Sequence, residues 1–180
     1  MRKIYLLIIT AFISIAAYSQ TEVGTWQFEV GTSAFGENTI KHGTSTGFNL
    51  FSTDGTTIFS IGAEGGYFFQ DNTAIKFGLG YTDLDFTNFL TYKLGFKHYA
   101  GGNVPIQIDL TGATNEDQDT FGGGTIDTPD PLWLGFQVGY AAFFSDNVAF
   151  EPTIRYNASL NKDFTDEGIL ELKFNFVIFF

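Results

Sequence analysis

The sequence predicts an all-β fold, an eight-stranded antiparallel up-and-down transmembrane β-barrel. After residue 20, apolar residues recur at every second position, which is the period of a β-strand and not of a helix. A pattern of aromatic residues, a tight polar turn and further alternation occurs at Tyr67–Tyr81 and again at Ala142–Tyr156. Tight turns and long polar loops connect the strands, as they do in membrane barrels.

Length and composition limit the classes of protein that fit. The 180 residues are enough for one domain, and only 16% of them are charged, less than in a typical soluble domain. The chain has no Cys, which excludes a disulfide framework and a thiolate metal site. The net charge of −11 argues against a nucleic-acid partner, because no basic patch is present to meet phosphates.

The N-terminus has the features of a cleaved secretory signal peptide. Two basic residues precede the apolar run Ile4–Ala17, and small residues stand at the −3 and −1 positions for cleavage after Ser19. The alternative, a membrane-anchoring helix, needs roughly 20 apolar residues, and this run is shorter. We expect cleavage of 1–19, which leaves 20–180 as the barrel domain.

Each predicted strand is an alternating run with one apolar and one polar face. The last strand shows this best, with Leu170, Leu172, Phe174, Phe176, Ile178 and Phe180 on one face. The opposite face begins with Glu171, Lys173 and Asn175. The predicted strands cover 22–34, 56–69, 73–86, 88–100, 103–114, 132–144, 148–160 and 168–180.

The connections between strands are of two kinds, tight turns and longer polar links. Three are tight: Gln70–Asn72, Ala100–Gly102 and Ser145–Asn147. Their Asn, Asp and Gly residues are suited to the positive φ angles of hairpin turns. The other connections are long polar loops near 36–55, 115–131 and 161–167, and a short link near 83–88.

The distribution of residues between the two faces favours a membrane barrel over a soluble sandwich or a lipocalin-like barrel. Phe, Tyr, Leu and Ile occupy the apolar face of almost every strand, whereas the polar faces carry small residues and few charges. In a membrane barrel the apolar face meets lipid and the polar face fills the lumen. Closure also removes unpaired strand edges, which hydrocarbon does not tolerate.

The segments GYFFQDNTAIKFGLGY, GYAAFFSDNVAFEPTIRY and LELKFNFVIFF resemble small eight-stranded outer-membrane β-barrel proteins of the OmpX/OmpA type. The resemblance covers essentially the whole mature chain. It implies an outer membrane of the Gram-negative type, with tight turns toward the periplasm. It also implies that Phe176, Ile178 and Phe180 signal to the barrel-assembly machinery. Pro152 departs from the pattern, and a local bulge is expected there, with the register beyond it open.

Strand parity predicts which ionisable residues face the lumen. The acids are Glu29, Glu64, Asp109, Glu151 and Glu171, and the bases are Lys76, Lys93, Lys97, Arg155 and Lys173. Acids and bases are equal in number, so the interior is predicted to be neutral. Because an unpaired buried charge is destabilising by about 3–5 kcal/mol, we expect these residues to form a structural ion-pair network.

An aromatic plug is predicted at the end of the barrel where the tight turns lie. Parity points Phe68, Tyr99, Phe143 and Phe179 inward at that end. Inward glycines, such as Gly66 and Gly135, leave space above the plug for long charged side chains. The interior of an eight-stranded barrel is just filled by side chains, so no continuous channel is expected.

Catalytic and metal-binding interpretations have little support in the sequence. His42 lies in the first long loop, and His98 lies near a tight turn and faces lipid or headgroups. Neither has a nucleophile or acid at a recognisable spacing. The oxygen-rich segment Asn115–Gly123 lacks the third ligand and the closing Glu of a calcium loop. We therefore predict no enzyme activity, no cofactor and no metal site.

Two classes of function remain open from the sequence. The first is a structural or interaction protein of the cell envelope, with a closed lumen and acidic surface loops. The second is a narrow passive pore or small-solute transporter, and an outer-membrane lipid-modifying enzyme is a remote third. The expected partners are outer-membrane lipid and the barrel-assembly machinery, with no nucleic acid, and the expected state is a monomer. The sequence does not identify a surface ligand.

Overall fold

The structure, a computed structural model, describes residues 21–35, 47–53, 56–83, 88–115, 118–119, 125–126 and 129–180. The predicted signal peptide and His42 lie outside these ranges. Within the described ranges, no helix is long and apolar enough to cross a membrane.

The described residues form strands that agree closely with the predicted ones. In chain order they are β1 (Trp26–Phe35), β2 (Gly47–Thr53), β3 (Thr56–Gln70), β4 (Thr73–Asp83), β5 (Asn88–Ala100), β6 (Val104–Asn115), β7 (Gln118–Asp119), β8 (Thr125–Ile126), β9 (Leu132–Gly139), β10 (Ala142–Ser145), β11 (Val148–Ser159) and β12 (Ile169–Phe179). The predicted strands correspond to β1, β3, β4, β5, β6, β9 with β10, β11 and β12.

The main sheet closes on itself as an antiparallel barrel. Its order is β1-β12-β11-β9-β6-β5-β4-β3, and β1 returns to pair with β3 from Trp26↔Tyr67 to Glu29↔Glu64. With β10 continuing β9 along the wall, the barrel has eight strands. The predicted fold class is confirmed.

Two structured segments fall in regions predicted to be loops. Strand β2 pairs with β3 from Gly47↔Gly62 to Thr53↔Thr56, beyond the part of β3 that contacts β1. Strands β7 and β8 form a short separate ribbon. Such short runs, set among Gly, Thr and Asp, give little periodicity from which to predict a strand.

The irregularity expected at Pro152 lies in the facing strand and not in β11. Pro152 keeps its register with Phe174 of β12, and β11 and β12 pair without a shift from Val148 to Asn157. On the other side, Tyr140 N–H donates to Pro152 O at 3.2 Å. Proline has no N–H to return this bond. The wall accordingly breaks opposite Pro152, between the end of β9 and the start of β10.

The three tight connections lie at one end of the barrel, called here the turn end, and the long connections lie at the opposite loop end. Asn72, Gly101 and Gly102 have φ angles of 61°, 61° and 83°, as predicted for these turns. Asp146 and Asn147 do not use a positive φ. There the Asn147 side-chain amide instead donates to Phe179 O at 3.0 Å and ties the turn to β12.

Polar residues line the inside of the barrel and apolar residues cover the outside. In β4, Lys76 is fully buried, whereas Leu79 is 64% exposed. In β5, Lys97 is fully buried and Leu94 is 59% exposed. This reversal of the soluble arrangement is the distribution expected for a barrel surrounded by lipid.

Candidate functional site

The structure places the ten predicted lumen residues on the inner wall. None of them is more than 5% exposed: Glu29, Glu64, Lys76, Lys93, Lys97, Asp109, Glu151, Arg155, Glu171 and Lys173. The alternation of each strand determines this placement, since every second side chain points inward. Nine of the ten make ion pairs, and these pairs form two separate networks.

The first network, the lysine–glutamate chain, links six residues in the order Lys93, Glu64, Lys76, Glu29, Lys97 and Glu151. The Nζ–Oε distances along it are 2.7, 3.6, 2.8, 2.5 and 2.5 Å. Each of the four inner members has two partners of opposite charge. The chain crosses the lumen, because its residues come from β1, β3, β4, β5 and β11.

The lysine–glutamate chain ends on a tyrosine of the aromatic plug. Tyr99 Oη donates to Glu151 Oε1 at 2.7 Å and lies 3.1 Å from Gln27 Oε1. The Lys97 ammonium lies 5.1 Å from the centre of the Tyr99 ring, within range of a cation–π interaction. The ion pairs and the plug are therefore one connected structure.

The second network, the arginine cluster, is built on Arg155. Its guanidinium donates two bonds of 2.6 Å to the two carboxylate oxygens of Asp109, a bidentate pair. Glu171 is more distant, with Oε2 3.6 Å from Arg155 Nε. Asn157 connects these residues, since it accepts from Arg155 Nε at 2.7 Å and donates to Glu171 at 2.9 Å. Gln107 and Thr111 donate to Asp109 at 2.7 and 2.9 Å.

Inward glycines make room for both networks. A side chain at Gly135 would collide with the guanidinium of Arg155, and it would also lie 2.9 Å from Asp109 Oδ1. A side chain at Gly66 would meet Gln27 Nε2 at 2.6 Å and Lys76 Cδ at 3.0 Å. These positions require Gly because a long side chain from another strand occupies the space above them.

Lys173 lies on the inner wall, but the structure does not pair it. It is 5% exposed and stands opposite Thr153 of β11. Among the described residues, no carboxylate oxygen lies within 4.0 Å of its Nζ. Its charged neighbours belong to both networks: Lys93, Glu64, Arg155 and Glu171. Strand parity gives the face on which a lysine lies but not the distance to its partner.

The four plug residues meet at the turn end. Phe68, Tyr99 and Phe179 are at most 1% exposed, and their ring centroids lie 5.9–6.3 Å apart. Phe143 is partly buried and packs on Phe179 at 5.7 Å. Ala74, Ala141, Ala149 and Val177 complete this cluster. The four rings therefore form one packed cluster at the turn end.

A second aromatic contact near the loop end was not predicted from the sequence. Trp133 points inward near the start of β9 and is 1% exposed. Phe164, in the connection between β11 and β12, packs edge-on against it at 6.0 Å. Asn161 Nδ2 donates to Asp130 O at 2.8 Å and ties this connection to the residues before β9. The inward parity of Trp133 was a signal that could have revealed this contact.

The remaining predicted residues lie on the outer wall. Phe176, Ile178 and Phe180 are 49%, 42% and 69% exposed, on the outward face of β12 and at the residue that follows it. His98 is also exposed, and its Nδ1 lies 3.0 Å from Thr73 Oγ1. Within the described ranges, no three His, Cys, Asp or Glu side chains converge to hold a metal ion.

The lumen side chains connect strands that are not neighbours in the sheet. Oppositely charged groups from β1, β5 and β11 meet inside the barrel, and aromatic rings pack together at the turn end. Buried side chains line the lumen from Phe68 at the turn end to Trp133 near the loop end.

Comparison with known proteins gives structural matches only. No protein-family model matches the chain, and no curated protein matches it. The N-terminal β-barrel domain of Pseudomonas aeruginosa OprF matches with a TM-score of 0.52 and 12% identity, over 88% of this chain and 98% of that one.

Two further solved structures match less closely. Neisserial surface protein A has a TM-score of 0.39 and 18% identity, over 86% of this chain and 93% of its own. Ail, the attachment invasion locus protein of Yersinia pestis, has a TM-score of 0.41 and 11% identity, over 88% and 99%. At these scores neither supports an argument, and at 12% identity the OprF match concerns the fold alone. The chain has the fold of the small eight-stranded outer-membrane β-barrels.

Proposed function

We propose that this protein is an outer-membrane β-barrel with a closed, ion-paired lumen and a structural or interaction role in the cell envelope. In this proposal the chain is exported with a cleaved signal peptide and resides in an outer membrane of the Gram-negative type. The turn end faces the periplasm, and the loop end faces outward.

The outer wall supports the membrane location. Large apolar side chains are exposed on every strand of the wall, such as Ile61, Leu94 and Ile154 at 51%, 59% and 54%. Such an area in water would drive aggregation. Trp26 and Tyr67 pack at 5.0 Å on the outside near the turn end, as in the aromatic belts at membrane interfaces.

The lysine–glutamate chain is the single observation that most favours a closed lumen. A pore needs mobile water along its axis, whereas here Lys76, Lys97 and Glu151 are fully buried, and Lys97 of β5 contacts both Glu29 of β1 and Glu151 of β11, each three strands away around the barrel. The alternative of a narrow passive pore requires these pairs and the plug to separate. The remote alternative, a lipid-modifying enzyme, gains no support from the described residues.

Acidic residues at the loop end support an interaction role. Asp130, Asp163, Asp166 and Glu167 are exposed there, in the connections that flank β9 and β12. An acidic surface would favour cationic partners and repel other acidic surfaces. The identity of such a partner stays open in this proposal.

Membrane insertion is tested by refolding the chain from Gln20 onward into phospholipid vesicles. The expected result is a β-type circular dichroism spectrum and different gel mobilities for unheated and boiled samples. A chain that stays monomeric and soluble without detergent or lipid would contradict the proposal.

The C-terminal residues are proposed to signal to the barrel-assembly machinery. The Phe180 side chain is 69% exposed, so it contributes little to the finished barrel. Its backbone, however, exchanges two hydrogen bonds with Trp26, at 2.8 and 3.0 Å. Phe180→Ala keeps those bonds and removes only the ring. We expect this variant to accumulate in the periplasm while refolding normally in vitro, and normal surface levels would contradict the assignment.

A further inference from the structure

An apolar groove crosses the outer wall on β5, β6, β9 and β11. Its volume is about 590 Å³. Two rows of outward side chains on adjacent strands border it, one with Phe96, Ile108 and Phe136, the other with His98, Ile106 and Val138. The groove lies nearer the turn end, since His98 is two residues from the end of β5.

The groove coincides with an unusual polar residue. Among the outward positions of the barrel strands whose side chains the structure describes, two carry acidic or basic groups: Asp83, at the loop end of β4, and His98. His98 is thus the one basic side chain on the described outer wall. Its Nδ1 lies 3.0 Å from Thr73 Oγ1, so the ring is held by β4 and its Nε2 is the nitrogen left to meet a ligand.

We propose that this groove binds one acyl chain of a phospholipid whose phosphate is hydrogen-bonded by His98. The inference rests on the proposed membrane location and specifies a ligand site on the wall. The phospholipid belongs to the leaflet on the side of the turn end, so that its phosphate lies at the level of His98 and Thr73. Its chain extends from there across β6 and β9, along Ile106, Ile108 and Val138.

The chemistry of the groove favours this occupant. An unfilled space beside apolar side chains forfeits their dispersion contacts, so lipid or protein must fill a groove of this size in a membrane. The outward side chains that line the groove are apolar except for His98 and the hydroxyl of Tyr156, as an acyl chain requires. Phosphate is the acceptor that every phospholipid places next to its chains, and imidazole N–H groups donate to it.

The test measures lipid binding to the intact barrel by native mass spectrometry from mild detergent. The probes are 1-palmitoyl-2-oleoyl-phosphatidylethanolamine and 1-palmitoyl-2-oleoyl-glycerol, which has the same chains and no phosphate. Val138→Trp and, independently, Ile106→Trp fill the groove, and His98→Ala removes the imidazole. Leu94→Trp is the matched control, because Leu94 is 59% exposed on β5 outside the groove lining.

The expected result is one phospholipid retained per barrel, with affinity reduced at least about tenfold by Val138→Trp or Ile106→Trp and unchanged by Leu94→Trp. His98→Ala should weaken phosphatidylethanolamine by about fivefold, the worth of one hydrogen bond, and leave the phosphate-free lipid unaffected. Gel mobility shifts on heating establish that each variant folds.

Three results would overturn the inference. Equal lipid retention by all the variants would mean that the lipids bind non-specifically and not in the groove. If His98→Ala lowers the affinity for both lipids, His98 does not act through the phosphate. A dimer that Val138→Trp abolishes would assign the groove to a second copy of the chain. Each result leaves the membrane proposal intact, because that proposal fails only if the unaltered barrel does not insert.

Discussion

The lysine–glutamate chain and the arginine cluster both neutralise charge inside the barrel, but they distribute it differently. In the chain, four of the six members have two partners, and each contact joins a point-charge ammonium to a carboxylate. In the cluster, one planar guanidinium makes a bidentate pair with Asp109, and its second acid, Glu171, lies at 3.6 Å.

This difference predicts how each network responds to damage. In the chain, loss of Lys76 or Glu29 leaves each neighbour with another partner of opposite charge, whereas loss of Glu64 or Lys97 takes away the one ion-pair partner that the described residues give Lys93 or Glu151. A bidentate centre has no substitute, and the amide and hydroxyl groups around it are arranged for that one geometry. The chain should therefore tolerate single changes at Lys76 or Glu29, and the cluster should be sensitive to the loss of Arg155.

The largest effect is expected from Arg155→Ala. It leaves Asp109 and Glu171 buried without a cation in contact, which should lower the free energy of unfolding by about 3–5 kcal/mol. Urea unfolding of the refolded barrel in vesicles, followed by tryptophan fluorescence, measures this. Arg155→Lys keeps the charge but loses the bidentate geometry of the guanidinium. Its free energy of unfolding should lie between those of Arg155→Ala and the unaltered protein. If Arg155→Ala lowers stability no more than Lys76→Met in the lysine–glutamate chain, the two networks do not differ in their sensitivity to single changes.

Gly135→Ala tests the geometry of the cluster and not its charge. The added methyl group collides with the guanidinium of Arg155, and such overpacking should lower stability by about 1–3 kcal/mol. In an Arg155→Ala background the same substitution should be less damaging, because the guanidinium is gone and the contact with Asp109 Oδ1 at 2.9 Å remains. Additive effects in this double-mutant cycle would show that Gly135 acts elsewhere.

A smaller effect is expected from Lys76→Met in the lysine–glutamate chain. Glu29 keeps Lys97 at 2.5 Å, and Glu64 keeps Lys93 at 2.7 Å. The loss should be about 1–2 kcal/mol, near that of a charge-assisted hydrogen bond. The same unfolding measurement applies, and a loss equal to that of Arg155→Ala would contradict the sharing of charge along the chain.

Lys173→Met should have the smallest effect, within about 1 kcal/mol of the unaltered protein or stabilising, because it replaces an unpaired buried charge by an apolar side chain of similar size. Lys93→Met is the matched control, since Lys93 contacts Glu64 at 2.7 Å. If Lys173→Met is the more damaging of the two, Lys173 has a partner that the described residues do not reveal.

The sequence predicts the wall of this barrel well because alternation is a local property. Parity alone placed Lys97 and Glu151 inside and Ile178 on the outer, apolar face. The division of the charges into two networks depends on how strands stack across the lumen, so parity could not predict it. The break in the wall beside Pro152 likewise depends on which side of β11 lacks an N–H, a fact of pairing and not of sequence.

The proposal that the lumen of the unaltered barrel is closed is tested most directly by electrical recording. The chain from Gln20 onward, refolded and inserted into a planar bilayer, should show no steady ohmic conductance if the plug and the two networks close the axis as proposed. Insertion is established separately by the gel mobility of protein recovered from the same lipid. A stable, reproducible conductance from the inserted and unaltered barrel would contradict the closed lumen and make a narrow pore the better account.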